Sequence, residues 1–334
     1  IGNKTERNLK KMTMPGRFRL QRFLRDAVRA GCTHAVIEVT SEGIKQYRHL
    51  GTTFAMAILT NVTPEHIESH GTFEKYRDTK AKLFYRTPIH VLNADDPNKD
   101  FFGLIPAKLT RMYSRAEVSS DIAPQFIGDF NKENIAAVIA AARILNISDE
   151  VIARALKKIE GVPGRLEFVA REPFSVVVAY AHTPDALTKV YETLKPRTQQ
   201  LICVLGSCGG GRDVWKRPEM GAIAASHCDR MFVTNEDPYD EDPMEIVKAV
   251  ARGAEEAAVV REGSNQKSAH PEIVPDRREA IRKAIQVAAP GDTVIITGKG
   301  AEPYLVVANG QKIDWDDRAV VREELERASL PQAS

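Results

Sequence analysis

The sequence predicts two α/β domains in series, the second a three-layer, Rossmann-like fold. Three observations lead there. The chain has 334 residues, more than one ordinary domain holds. Short apolar runs alternate with helical patterns along it. Gly161, Pro163 and Gly164 punctuate the chain, and after them the alternation restarts. The expected domains are therefore 1–162 and 163–334.

In the first domain, residues 18–30 have helical spacing and Gly31 stops that helix. Residues 34–39 (HAVIEV), 54–59 (FAMAIL) and 89–93 (IHVLN) read as buried strands. Residues 72–84 form a polar helical pattern and 131–145 a strongly apolar one, and Ser148 caps a helix over 149–159. In the second domain, strands are expected near 175–180, 200–205, 229–234 and 292–297. Helices are expected near 184–194, 216–227, 242–257, 277–288 and 317–328. No internal repeat or low-complexity tract interrupts either series.

Composition narrows the function classes. Apolar residues make up 43% and charged residues 28% of the chain, the profile of a folded globular protein. A net charge of +2 gives no support for nucleic acid or a membrane surface as partner. The Lys/Arg-rich start reads as a solvated segment. Four cysteines in a chain this long are no disulfide scaffold, and reduced, buried thiols in a cytoplasmic protein are expected. A zinc site at Cys203, Cys208, His227 and Cys228 lacks zinc-ribbon spacing, and Cys203 falls inside a strand pattern. No apolar run approaches membrane-spanning length and no signal peptide is visible, so membrane insertion is not expected. The chain opens at Ile1 in mid-pattern, which suggests that an N-terminal segment precedes it.

Three polar loops follow strand patterns directly, where open α/β sheets bind ligands. The first is Thr60–His70, TNVTPEHIESH. His66 and His70 would share one face of a helix, but the order is not H-E-x-x-H, so a zinc hydrolase is disfavoured. Two surface histidines are the plain alternative to a Mg²⁺-nucleotide site. Glu38, near a strand tip, favours the latter, since hard oxygen ligands suit Mg²⁺; a carboxylate merely capping a loop is its plain alternative. The second loop, 206–213 (GSCGGGRD), precedes a helix carrying Lys216 and Arg217. Its glycines let backbone N–H groups approach an anion, although a tight turn would need the same residues. The third, 297–302 (TGKGAE), has a Lys and a Glu that could clamp a zwitterion, or form a plain β-turn. No G-x-x-x-x-G-K-[ST] occurs anywhere.

Together these residues resemble the Mur ligase family. The resemblance rests on TNVTPEHIESHGTFEKYRDTKAKLF (60–84), LNADDP (92–97), GDFNKENIAA (128–137), GVPGRLEFV (161–169), YAHTPDAL (180–187), GGRDVWKRPEMG (210–221), NEDPYDEDP (235–243), DRREAI (276–281), GDTVIITGKGAE (291–302) and DDR (316–318). It implies a P-loop-type central ATPase domain, here incomplete, followed by a Rossmann-like C-terminal domain that brings in the amino acid. The implied reaction is ATP-dependent. A carboxylate on a UDP-N-acetylmuramoyl-dipeptide is phosphorylated, and the amine of an incoming amino acid attacks the acyl phosphate, as in peptidoglycan synthesis.

The resemblance also implies roles. Glu38, His66 and Lys80 match the family's Mg²⁺ and catalytic positions, Lys80 being the lysine that the family carbamylates. Asn131, Asn134, Arg165 and His182 match nucleotide-binding positions. Arg212, Asp213, Lys216, Arg217, Glu236, Asp237, Tyr239, Gly298 and Glu302 match substrate- and amino-acid-binding positions. ATP and Mg²⁺ are the implied cofactors. Ala179 stands where the family usually has Asp, Glu42 and Ala301 where it has His, and Gly211 where it has Asp. Tyr239 stands where enzymes selecting diaminopimelate have Arg. A bidentate Arg–carboxylate bond has no equivalent at Tyr, so a lysine-like substrate is expected.

Lacking the phosphate-binding loop, the chain alone is expected to bind ATP weakly and not to turn over. The alternatives are another ligase of the superfamily, folylpolyglutamate or cyanophycin synthetase-like, and a non-catalytic module that binds nucleotide or amino acid or docks on a partner.

Overall fold

The structure is a computed structural model that describes all residues except Asn3, 7–12, His66, Ser120, 265–266 and 330–334. It divides into two compact units, Ile1–Ala123 with Phe130–Leu156, and Pro124–Asp129 with Lys157–Ser334. Among the described residues, no helix is long and apolar enough to cross a membrane.

The first unit runs α1 (Arg17–Arg29), α2 (Ser41–Lys45), β1 (Met56–Leu59), α3 (Ile67–His70), α4 (Phe73–Phe84), β2 (Ile89–Asn93), α5 (Lys99–Gly103), β3 (Leu109–Tyr113), α6 (Asp129–Ile144) and α7 (Asp149–Lys158), the last two with outermost residues in the second unit. The strands form a parallel sheet in the order β1-β2-β3. Thr72 starts α4 by accepting from the Lys75 N–H at 3.2 Å, which satisfies one donor of the first turn. From α4, Tyr76, Ala81 and Phe84 pack with Leu59 of β1, Leu92 of β2 and Phe102 of α5 into the unit's core. Fully burying a side chain of Phe or Leu size stabilises by roughly 1.5–3 kcal/mol, and each large member of this cluster contributes on that scale.

Residues 34–39 are not the expected strand. They form an irregular segment, with Val36 at 99% exposure. A strand needs a ladder, and no described residue pairs with this stretch, so its apolar alternation has nothing to complete.

The second unit continues with β4 (Glu167–Ala170), β5 (Ser175–Ala179), α8 (Pro184–Leu194), β6 (Leu201–Leu205), α9 (Lys216–His227), β7 (Arg230–Val233), α10 (Pro243–Gly263), β8 (Pro271–Ile273), α11 (Arg277–Gln286), β9 (Thr293–Thr297), β10 (Tyr304–Val306), β11 (Lys312–Asp314) and α12 (Asp317–Ser329). The six-stranded sheet has the order β4-β5-β9-β6-β7-β8. All its neighbours pair in parallel except β4 with β5. Parallel strands are covered on both faces, which is why β6 (LICVL) and β9 (TVIIT) are apolar almost throughout and buried at every position. The hairpin β10–β11 pairs Tyr304 with Asp314. The order places the carboxyl ends of β5, β9, β6 and β7 side by side, and all three glycine-bearing or acidic loops of this unit leave from them.

The cysteines depart from expectation. Cys203 and Cys228 are joined in a disulfide. Cys203 lies in β6 and Cys228 ends α9, and the fold brings their Cα atoms to 6.1 Å, within bridging range. Cys32 and Cys208 are free, and Cys208 is buried.

Candidate functional site

In the first unit the chemistry gathers around Lys80, on α4 one turn beyond Tyr76. Its ammonium nitrogen lies 5.0 Å from the Tyr76 ring centroid. Burial lowers the Lys80 pKa below the ordinary lysine value; the carboxylates of Glu65, Glu38 and Asp96 act in the opposite direction without cancelling it. The neutral amine is thus more accessible than on a solvated lysine, although three acids surround it. Asp96 is fixed by accepting from Val62 N–H at 2.7 Å and Asn98 N–H at 2.7 Å, so it also pins the loop after β1.

Glu38 is exposed, two residues before Thr40, whose hydroxyl accepts from Gly43 N–H and starts α2. Glu42 joins α2 to α3. It accepts from the Ser69 hydroxyl and lies 3.5 Å from His70 Nε2. His66, expected as a metal ligand, lies outside the described residues. Among the described residues no three His, Cys, Asp or Glu side chains converge as a metal cage. The donors still suit Mg²⁺, which takes one or two carboxylates and keeps water and phosphate oxygens for the rest of its shell. Glu38 and a carboxylated Lys80 would be those donors. Asn131 and Asn134 stand on the first two turns of α6, Asn131 half-buried and Asn134 exposed. Glu65 and Asp96 were not singled out by the sequence, though both sit inside its quoted motifs.

In the second unit the loops after β5, β6, β7 and β9 meet. Lys299 is fully buried and pairs with Asp237 at 2.8 Å and Glu302 at 2.6 Å. The other oxygen of Asp237 accepts from Val306 N–H at 2.7 Å, and the other oxygen of Glu302 accepts from the Tyr180 hydroxyl at 3.3 Å. The Lys and Glu of the 297–302 loop are therefore held in internal ion pairs. Lys216 and Arg217 are buried as well. Lys216 donates to His182 O at 3.0 Å, and Arg217 donates to Cys208 O at 3.2 Å and Glu241 at 2.8 Å. Asp213 is buried in the same loop.

Arg212 remains half-buried against Tyr239, Tyr180 and Cys208. Burial would lower its pKa, but these neighbours and its bond to Tyr239 raise it, so it stays a cation. Arg165 is exposed and stacks over the Tyr180 ring at 4.5 Å, and His182 lies 4.5 Å from the same ring.

Glu236 is 2% exposed. Its Oε1 accepts from the Cys208 thiol at 2.7 Å, while its Oε2 is buried with no hydrogen-bond partner among the described residues. Gly298, at φ +107°, makes room for it, since a Cβ there would lie 2.2 Å from Oε2. Gly210 plays the same part for Tyr239, whose ring would be 2.6 Å from an added Cβ. Among the described residues, Ser207 Oγ, Arg217 Nε and Arg277 Nη1 are likewise buried without partners; Ser207 lies in the loop after β6, and Arg217 and Arg277 donate through Nη2 to Cys208 O and Thr297 O. Buried unsatisfied groups are rare in folded proteins, so these loops are the second unit's candidate for a ligand site. The set suits a zwitterion, with donors for its carboxylate and Glu236 for its ammonium. Cys208 was not expected here, and its place before three glycines gave no signal of its side-chain direction.

Comparison with known proteins followed the same division. A Mur ligase middle-domain profile matches residues 1–122, and a Mur ligase glutamate ligase domain profile matches residues 164–300. The chain is 36% identical to a UDP-N-acetylmuramyl-tripeptide synthetase of Roseiflexus sp. (strain RS-1), covering 97% of this chain and 71% of that protein. It is 37% identical to a UDP-N-acetylmuramoyl-L-alanyl-D-glutamate–2,6-diaminopimelate ligase of Thermosynechococcus vestitus, covering 96% of this chain and 68% of that protein. A solved structure of a ligase of the latter name superposes with a TM-score of 0.56 at 30% identity, covering 95% of this chain and 69% of that one. A pseudomurein peptide ligase type C from Methanothermus fervidus shares the fold, with a TM-score of 0.60 at 18% identity over 87% of this chain and 66% of that one.

Proposed function

The chain belongs to the Mur ligase family, and on that premise we propose that it serves an ATP-dependent ligase joining an amino acid to a UDP-N-acetylmuramoyl-dipeptide. The amino acid we assign is lysine-like rather than diaminopimelate. One observation carries that choice. Position 239 is Tyr, which has no guanidinium to pair with a second carboxylate.

The residues then divide the work. Arg212 neutralises the amino acid's carboxylate and Glu236 receives an ammonium. Asp237, Glu302 and Lys299 form the ion-paired frame that fixes these loops. Glu38, His66 and Lys80 hold Mg²⁺, and Asn131, Asn134, Arg165 and His182 are assigned to the nucleotide. Bound Mg²⁺ supplies charge neutralisation for the phosphoryl oxygens. The protein's own contribution at Lys80 is a desolvated amine that can take up CO₂, releasing a proton and becoming an anionic oxygen donor.

The phosphate-loop pattern G-x-x-x-x-G-K-[ST] is absent from the 334 residues, so amino-acid binding, which does not need it, is the primary test. Calorimetric titration should show L-lysine binding more tightly than diaminopimelate, with Tyr239→Arg reversing the order. Preference for diaminopimelate by the unaltered chain would refute the assignment.

A further inference from the structure

We propose that Cys208 is a positioning residue for amine recognition: its S–H bond to Glu236 Oε1 holds the carboxylate so that Oε2 stays turned to the ligand's ammonium. The proposal rests on the reading of this loop cluster as the amino-acid pocket.

The geometry confines Glu236 from both sides. On one side the Cys208 sulfur stands 2.7 Å from Oε1. On the other, a Cβ at Gly298 would lie 2.2 Å from Oε2, so only glycine leaves room for it. A carboxylate held this way cannot rotate to exchange its oxygens. The thiol must be the donor, because a thiolate would face a carboxylate across 2.7 Å with both charges buried. Burial pushes the Cys208 thiol well above its ordinary range, and the Glu236 and Asp237 carboxylates push in the same direction, so the proton stays on sulfur.

The rest of the loop fixes Cys208 in turn. Its carbonyl accepts from Arg217, which is tied to Glu241, and the next residue's N–H donates to Asp237 O at 2.8 Å. Asp237 and Glu302 are both ion-paired to Lys299, which holds their carboxylates in place beside Glu236. Among the described residues of these loops, the carboxylate oxygen left buried without a partner is Glu236 Oε2, and the Cys208 thiol holds its twin.

The test is calorimetric titration of L-lysine into the full chain, with urea midpoints recorded for every variant. Cys208→Ala removes the donor and should weaken lysine binding about tenfold, the scale of one modest bond to a charged group. Cys208→Ser restores an O–H donor and should bind within about twofold of the unaltered chain. In a Glu236→Gln background, Cys208→Ala should have almost no further effect, since the charge being positioned is gone.

A folded Cys208→Ala variant that binds lysine as well as the unaltered chain would overturn the proposal. Should the Ala variant not fold, a folded Cys208→Ser variant with tenfold weaker binding would overturn it equally. If the unaltered chain binds no lysine at all, the pocket assignment itself falls and the role of Cys208 with it.

Discussion

Replacing Arg277 with Met should destabilise the second unit by about 4 kcal/mol. Arg277 opens α11 and is 3% exposed, and its partner Asp317 opens α12 and is fully buried. The pair is bidentate, Nε to Oδ1 at 2.9 Å and Nη2 to Oδ2 at 2.7 Å, and Nη2 also donates to Thr297 O at 2.7 Å. Met fills much of the volume but leaves Asp317 charged and buried, with the Trp315 indole N–H at 2.8 Å as a remaining donor. Breaking such a pair from one side costs about 3–5 kcal/mol, because the surviving charge keeps its desolvation penalty. Loss of the bond to Thr297 O adds to this at the very residue that leads into Gly298.

The assay is urea unfolding followed by tryptophan fluorescence. Trp215 and Trp315 are the only tryptophans of the sequence, and both lie in the second unit, so the signal reports that unit alone. With a slope of about 2 kcal/mol per molar urea, the midpoint should fall by about 2 M. Arg277→Met combined with Asp317→Leu should recover part of the loss, because the orphaned charge is removed as well. A single variant within about 0.5 M of the unaltered midpoint, or a double variant as unstable as the two losses added, would refute the reasoning.

Three further outcomes are expected. Gly298→Ala puts a Cβ 2.2 Å from Glu236 Oε2 at a φ of +107°, so lysine binding should be lost with a stability cost of about 1–3 kcal/mol; unchanged lysine affinity would contradict the packing. Glu324 should make stability fall in acid. Burial alone would raise its pKa, but hydrogen bonds from Arg282 and Arg278 and the charges of Arg282 and Arg327 outweigh burial and lower it from 4.5. Its stabilisation is therefore complete above the unfolded value and is lost as pH drops below 4.5 through the folded value. Urea midpoints measured from neutral pH down to acid should fall less steeply in Glu324→Gln than in the unaltered chain, and parallel curves would exclude the role. Lys80 should take up label from isotope-enriched bicarbonate as a carbamate signal that Lys80→Arg abolishes, and the same signal persisting in that variant would place the adduct elsewhere.

The elements legible in the sequence are those whose pattern follows from burial alone. β6 and β9 read as strands because parallel neighbours bury both faces, and α4 and α6 read as helices because a polar helical pattern, capped by Thr72, and an apolar one are both local features. β3 (LTRMY) was not legible, since it is exposed along four of its five residues and shows no alternation. The hairpin of β10 and β11 lies outside the sequence expectations although Asn309-Gly310 is a tight-turn pair, and both residues take positive φ. In 34–39 the local pattern was strand-like, but strand formation is decided by a partner, and the pattern carries no information about one.

The site divides along the same line. The motifs located all four loops of the second unit, because glycines and charges after strand patterns are local features. They did not show which charges face inward. Lys299 and Glu302 look like a clamp in sequence, three residues apart in a glycine turn, yet Lys299 is fully buried against Asp237. Asp237 follows β7 and Lys299 follows β9, and β6 separates those strands in the sheet, so only the crossover order brings the two together. The consequence is chemical. With Lys299 paired to two acids at once, the loops carry a compact ion network, and Glu236 Oε2 is left buried without a hydrogen-bond partner among the described residues. Specificity for an amine then depends on what aims that oxygen, a cysteine 28 residues earlier in the chain and a glycine at the end of β9.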